Sequence, residues 1–344
     1  MATNIRCKYC GGNNVFNPST GNLKCEYCGN VSECETKHNS ANKITQKYSE
    51  TYSPKMNYDG DNLYLCSSCG ATVSFEESED KKRCPSCGDT SLKRQQVAMS
   101  VPDGIIPFSV SRDKAVEIFR KWIQSRKFAP NDLKQMAKLG KVSGLYVPAW
   151  NVGFRVVGNY FANVTKLEEE MNDNTVLWHY PVKDTVDKTY LNILISGNKR
   201  IDDEVLTELS PFDSQKVRVY SNKYVYGFSG LSTDLSVHEK YEKIIDEKKD
   251  KLTDRIRSNL KSKFDSIESL NVNYEIKNST LNYLYIPIWA NHYTYNGKKY
   301  HCYINGQTGK ATGKAPKSFW KILSLALGIG AGITALVALI FSLI

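Results

Sequence analysis

The spacing of eight cysteines constrains this chain more than any other feature. Cys7-x2-Cys10 is followed by Cys25-x2-Cys28, and Cys66-x2-Cys69 by Cys84-x2-Cys87, with 14 residues between the pairs in both copies. A two-residue gap turns both thiolates of a knuckle toward one point, and two knuckles joined by a short hairpin complete the tetrahedral four-sulfur shell that zinc prefers. Gly11, Gly29, Gly70 and Gly88 each follow the second cysteine of a knuckle, where the absence of a Cβ lets the chain fold back beneath the metal. Disulfides would need an oxidising compartment, and a thioredoxin-type CxxC would sit in a βαβ unit. The expectation is therefore two structural Zn2+ ions, in ribbons at 1–33 and 62–94. Cys34 and Cys302 are left over as free thiols.

Zinc ribbons often read nucleic acid, but the charge here argues against it. The formal net charge of the 344-residue chain is +10, yet residues 5–33 balance to +1 and residues 62–94 to zero. Four thiolates around Zn2+ add −2 to each, whereas phosphate binding rests on neutralising several charges with Lys and Arg. Tyr9, Phe16, Tyr27, Tyr64 and Phe75 could stack on bases, but in units this small such aromatics are expected to cover the metal core.

Between the ribbons, residues 34–61 are polar and aperiodic and read as a linker, which makes the ribbons independent beads. A second linker spans 95–110. Ser111 then caps a basic helical segment at 111–140, whose first helix has Ala115, Ile118, Phe119, Trp122 and Ile123 on one face. Residues 111–144 hold nine Lys or Arg against three Asp or Glu.

From 141 to 313 the pattern is that of an α+β domain. The phrase "LYVPAW" at 145–150 recurs as "LYIPIW" at 284–289, each leading into an alternating strand, and Asn296-Gly297 reads as a hairpin turn. A long surface helix is expected over roughly 236–270.

The last segment, 322–344, carries no charged residue. Twenty-three residues at about 1.5 Å each reach roughly 34 Å, so the expectation is a C-terminal transmembrane tail anchor. A basic juxtamembrane stretch at 314–321 precedes it. Lys310, Lys314, Lys317, Lys321 and Trp320 would lie at an anionic membrane surface, with the bulk of a single-pass cell-membrane protein in the cytoplasm. Gly328 and Gly332 form a small-xxx-small face through which two copies could pair into a homo-oligomer. The expected fold class is thus α+β: two small four-cysteine zinc ribbons, a mixed β-rich domain with a long surface helix, and one C-terminal transmembrane helix.

No catalytic constellation emerges. The sequence has no phosphate loop, HExxH, GxSxG or kinase signature, and its five histidines do not cluster. His301 and Cys302 are neighbours in a strand and so point to opposite faces. His179 and His292 read as satisfied polar residues on a sheet. Asp202, Asp203 and Glu204 read as a solvated acidic loop.

With "CxYCG" knuckles, "IIPF", "WIQSRKFAP", "YVPAW" and "NGQTGK", the chain resembles a bacterial family of membrane-anchored TFIIB-type zinc-ribbon proteins, the YdjG-like proteins. The resemblance covers nearly the whole chain. It implies a role beside a phage-shock protein A homologue and a virion-core-like (SPFH-related) partner. The expected function is a non-catalytic adaptor that recruits cytosolic proteins under envelope stress, and the competing one is a tethered nucleic-acid or transcription regulator. Metal analysis of the purified chain is expected to return two zinc per molecule; fewer than two would remove one ribbon from this reading.

Overall fold

In the computed structural model of the chain, the described residues are 5–33, 46–49, 54–57, 63–68, 71–74, 84, 89–94, 99–136, 142–169, 175–199, 201–225, 227–231, 233 and 236–343. The first ribbon is a four-stranded sheet of β1 (Ile5–Arg6), β2 (Asn13–Asn17), β3 (Asn22–Cys25) and β4 (Val31–Ser32). Then come β5 (Gln46–Lys47), β6 (Lys55–Asn57), and three strands of the second ribbon: β7 (Leu63–Cys66), β8 (Ala71–Ser74) and β9 (Leu92–Arg94). β10 (Met99–Val101) and β11 (Gly104–Ile105) lead into helices α1 (Arg112–Gln124) and α2 (Asn131–Met136). The body continues through β12 (Val142–Glu169), β13 (Thr175–Ser196), α3 (Asp203–Leu209), β14 (Arg218–Val219), β15 (Ser229–Leu231) and α4 (Val237–Lys261). It closes with β16 (Ser266–Tyr295), β17 (Lys298–Asn305), β18 (Ala311–Gly313) and α5 (Phe319–Leu343).

The two copies of the repeated phrase pair with each other. β12 and β16 run antiparallel, with Leu145 opposite Ile288, Tyr146 opposite Pro287, Pro148 opposite Tyr285 and Ala149 opposite Leu284. Proline is usually kept out of central strands because it cannot donate to a ladder. Here both prolines stand where the outer neighbour changes. β12 takes β15 in parallel at Leu145 and Tyr146 and β13 antiparallel from Ala149 onward; β16 takes β11 in parallel at Leu284 and Tyr285 and β17 antiparallel from Ile288 onward. At the change each proline still accepts one outward bond: Gly197 N–H donates to the Pro148 carbonyl and Gly306 N–H to that of Pro287, both at 2.8 Å. Each missing N–H costs the reciprocal bond of its pair, and at Gly197 the carbonyl is met instead by the Thr233 hydroxyl at 2.9 Å.

Strand alternation then sorts the core onto two faces. Tyr146, Tyr285 and Trp289 cluster with Ala115, Phe119, Trp122 and Ile123 of α1 and with Phe16 and Leu23 of the first ribbon. Leu145, Val147, Ile286 and Ile288 cluster with Leu206 and Leu209 of α3 and with Cys66 and Cys84 of the second ribbon. Each ribbon is therefore built onto one face of the central sheet. The second is also hydrogen-bonded into it, since β8 pairs β15.

Beyond the centre, β13, β12 and β16 continue as a three-stranded arm. β12 alone has 28 residues, roughly 90 Å of strand. α4 covers one face of the arm with Tyr241, Ile245, Leu252, Ile256 and Leu260, all buried.

Several sequence expectations need correction. The fold is mostly β-sheet with few helices, not an α+β domain with a transmembrane helix. The long helix stops at Lys261 with Ser262 as its C-cap, and the residues from Ser266 onward join β16. Phe264 and Ile267 fitted a helical period, but they pack against Ala162 and Val164 beside the strand. Nor are the ribbons beads: Phe16 meets Tyr224 edge-on at 5.4 Å, and residues 46–47 of the supposed linker pair with β16.

The tail anchor at 322–344 is also overturned, because among the described residues no helix is long and apolar enough to cross a membrane. The cell-membrane, single-pass localisation goes with it. Two of the supposed lipid-facing lysines bind protein instead: Lys321 Nζ donates to the Ala129 carbonyl and Asn131 Oδ1, both at 2.7 Å, and Lys310 Nζ to the Ser210 carbonyl at 2.6 Å. Lys314, Lys317 and Trp320 are exposed, and a Cβ added at Gly328 or Gly332 would meet nothing within 4 Å.

Of the glycines in β12, Gly158 leaves the least room, since an added Cβ would lie 2.1 Å from the Asn273 carbonyl oxygen. Gly158→Ala is expected to cost about 1–3 kcal/mol in denaturant unfolding, because backbone must move. Gly328→Ala, in open space on α5, serves as the control and should not lower the midpoint.

Candidate metal centre

The first ribbon gathers four cysteines at one point. One sulfur from each of Cys7, Cys10, Cys25 and Cys28 lies within 4.8 Å of all the others. Cys7 and Cys28 sulfurs are 3.7 Å apart, and those of Cys10 and Cys25 are 3.5 Å apart. A tetrahedral four-sulfur site with Zn–S near 2.3 Å has edges of about 3.8 Å, so the set fits zinc.

Local backbone chemistry explains the cluster. Cys7 N–H donates to the Gly12 carbonyl at 2.6 Å and Cys25 N–H to that of Asn30 at 2.8 Å, so each knuckle closes over five residues. The return requires a left-handed residue after the second cysteine, and Gly11 and Gly29 supply it at φ of 72° and 74°. Gly12 lies under the cluster, where a Cβ would sit 3.2 Å from Cys25 Sγ and 3.3 Å from Cys10 Sγ.

Electrostatics favour a cation. The backbone N–H of Cys28 leads in drawing the Cys25 thiol down to about 7, and the N–H of Tyr9 leads in lowering Cys7. The Gly12 N–H also pulls on Cys10, but the neighbouring thiols, Cys28 foremost, and burial together push Cys10 up to about 12. Four thiols this close cannot all ionise alone, and a divalent ion supplies the charge that lets them.

In the second ribbon, Cys66 and Cys84 are buried, while Cys69 and Cys87, with Gly70 and Gly88, lie outside the described residues. One four-cysteine cluster is therefore shown where two were expected. The described half repeats the knuckle: Cys84 N–H donates to the Asp89 carbonyl at 2.8 Å, again five residues on. Asp89 then accepts from the Ser68 hydroxyl at 2.7 Å, which helps hold its carboxyl at about 2 and ties the two knuckles together.

Other candidate residues are scattered. Asp203 is no free loop acid: it accepts from Ser196 N–H at 2.6 Å and pairs with Lys240 at 2.9 Å. His179 meets Glu268 at 3.1 Å. Cys302 is buried, and burial pushes its thiol up to about 12, while His301 points to the exposed face of the same strand. Of the aromatics expected over the metal, Phe16 is buried, but Tyr9 and Tyr27 are 81% and 88% exposed.

One pairing was missed. His292 and His301 face each other across the β16–β17 hairpin with Nδ1 atoms 2.7 Å apart. Burial, then His301 and Lys299, lower the His292 imidazole to about 4. The signal was present, since a two-residue Asn296-Gly297 turn sets Tyr295 opposite Lys298 and hence 292 opposite 301.

Cys25→Ser is expected to remove one metal equivalent and to release the ribbon from the body. Amide exchange at Tyr224 and Val225 should then accelerate, whereas Ile288 and Trp289 stay protected. Unchanged exchange at Tyr224 in the metal-free variant would show that the docking does not depend on the knuckles.

Among known proteins the chain is similar to an uncharacterized protein, YdjG, of Bacillus subtilis (strain 168), with 26% identity over 329 residues. The alignment spans 78% of this chain and 94% of that relative. No family model and no solved structure matches the chain. The comparisons support a distant kinship with YdjG and carry no metal, partner or activity with it.

Proposed function

We propose that the chain is a non-catalytic adaptor whose first zinc ribbon is a partner-binding knob. The observation that carries this reading is the placement of Tyr9 and Tyr27, 81% and 88% exposed, each directly before a metal-ligating cysteine. A tyrosine offers a large amphipathic contact at little side-chain entropy cost, and tyrosine is enriched among the residues that dominate interface energies. Leu23 and Phe16 are buried in one cluster with Tyr224 and Val225 of the body, and a Cβ at Gly227 would meet Val15 at 2.7 Å. The ribbon therefore presents its tyrosines on a fixed base. Two structural zinc ions, one in each ribbon, belong to the same reading, the second supported by the Cys84 turn.

The partner class follows from the family resemblance: a phage-shock protein A homologue or an SPFH-related protein. Binding of the full-length chain to the purified phage-shock protein A homologue of the same organism tests it. Each of Tyr9→Ala and Tyr27→Ala is expected to cost about 2 kcal/mol, roughly thirtyfold in Kd, with zinc content unchanged. Binding that is indifferent to both substitutions would sink the knob. Salt-sensitive capture of nucleic acid by the wild type, lost in the tyrosine variants, would replace the adaptor with base stacking.

A further inference from the structure

We propose that His292 and His301 form a metal site separate from the cysteine ribbons, one that takes a first-row divalent transition cation through both Nδ1 atoms. The backbone builds the pair. In the β16–β17 ladder, Gly306 N–H donates to Pro287, which marks that pair as hydrogen-bonded. Alternation from there makes 292 and 301 a non-hydrogen-bonded pair, the kind in which facing side chains come closest. The His301 carbonyl points away from β16, accepting from Lys314 N–H at 3.3 Å on the β18 side, as that assignment requires.

Asn296 and Gly297, at φ of 48° and 74°, make a tight turn that fixes the register. Tyr303, two residues on, stacks on His301 with ring centroids 6.1 Å apart and limits its rotation. Two imidazole nitrogens 2.7 Å apart are close to the roughly 2.9 Å that separates two nitrogens bound cis, at right angles, to one metal at about 2.0–2.1 Å, the arrangement of a tetragonal Cu2+ site.

In the metal-free pair one Nδ1 donates its proton to the other. On metal binding that proton moves to Nε2 of the same ring, so both Nδ1 lone pairs face the cation and neither ring changes charge. Lys299, close enough to act on both rings, disfavours hard cations held by charge alone. Imidazole ligands and the order of divalent affinities select Cu2+ first, then Ni2+ and Zn2+. The remaining coordination positions go to water or to a group from outside the chain.

The test is titration of the zinc-loaded full-length chain with Cu2+ alone, read by electron paramagnetic resonance. The wild type is expected to bind one Cu2+ with couplings from two imidazoles and no loss of zinc. His301→Gln, at an exposed position, should weaken that binding about tenfold or more while zinc content and unfolding midpoint hold. His301→Ala provides a second variant, and His179→Gln should behave as wild type. Equal Cu2+ affinity in wild type and His301→Gln would overturn the site, as would copper bound by sulfur with release of zinc.

Discussion

The structure depends on the antiparallel pairing of Leu145–Trp150 with Leu284–Trp289. Each strand brings one proline to the middle of a sheet, and the pairing is tolerable only because the outer neighbours change there. Prolines at both changes punctuate the two strands alike, which is why the phrases resemble each other. With the centre fixed, alternation sends tyrosines and tryptophan to one face and aliphatics to the other. α1 and α3 cover the two faces, and each ribbon adds to one of them.

That arrangement changes what a metal ion would do. A zinc bead on a tether would stabilise only itself. Here Cys25 ends β3, whose Leu23 is core, and Phe16 in β2 packs on Tyr224. The free energy of closing the knuckles is thereby linked to the packing of the body, because the ribbon's buried face is the body's own surface. The same docking leaves the knuckle tips outward, so burial on one side and exposure of Tyr9 and Tyr27 on the other share one cause.

Much of this was written locally and could be read. Cysteine spacing and the following glycines specify the knuckles, Ser111 caps its helix, and Asn296-Gly297 turns its hairpin. What could not be read is long-range. The repeat was visible, but its pairing with itself spans more than a hundred residues and leaves no local mark. Residues 262–270 kept a helical period by chance, and the Ser262 cap with β12 as a waiting neighbour decided otherwise. The apolar count over 322–344 addressed composition alone, whereas Lys321 is held by the α1–α2 connection. The histidine pair was legible in principle, but counting histidines along the chain hid what counting from the turn reveals.

The arm shows how the sequence keeps so much strand from joining other strands. Among the described residues, β13 lies at an edge along 175–190, and a long flat edge is a template for unwanted pairing. Pro181 interrupts the donors on that edge, and Lys183, Asp184, Asp187 and Lys188 set exposed charge along it. Arg155 on the neighbouring strand holds Asp187, so this charge is anchored to the arm's own sheet. On the face away from α4, Asn159, Asn271 and Asn273 are exposed, as expected of a sheet solvated on one side, with Leu167 and Leu177 also exposed near its far end. Charge and Pro181 thus defend the middle of this edge, where an incoming strand would otherwise find its longest template.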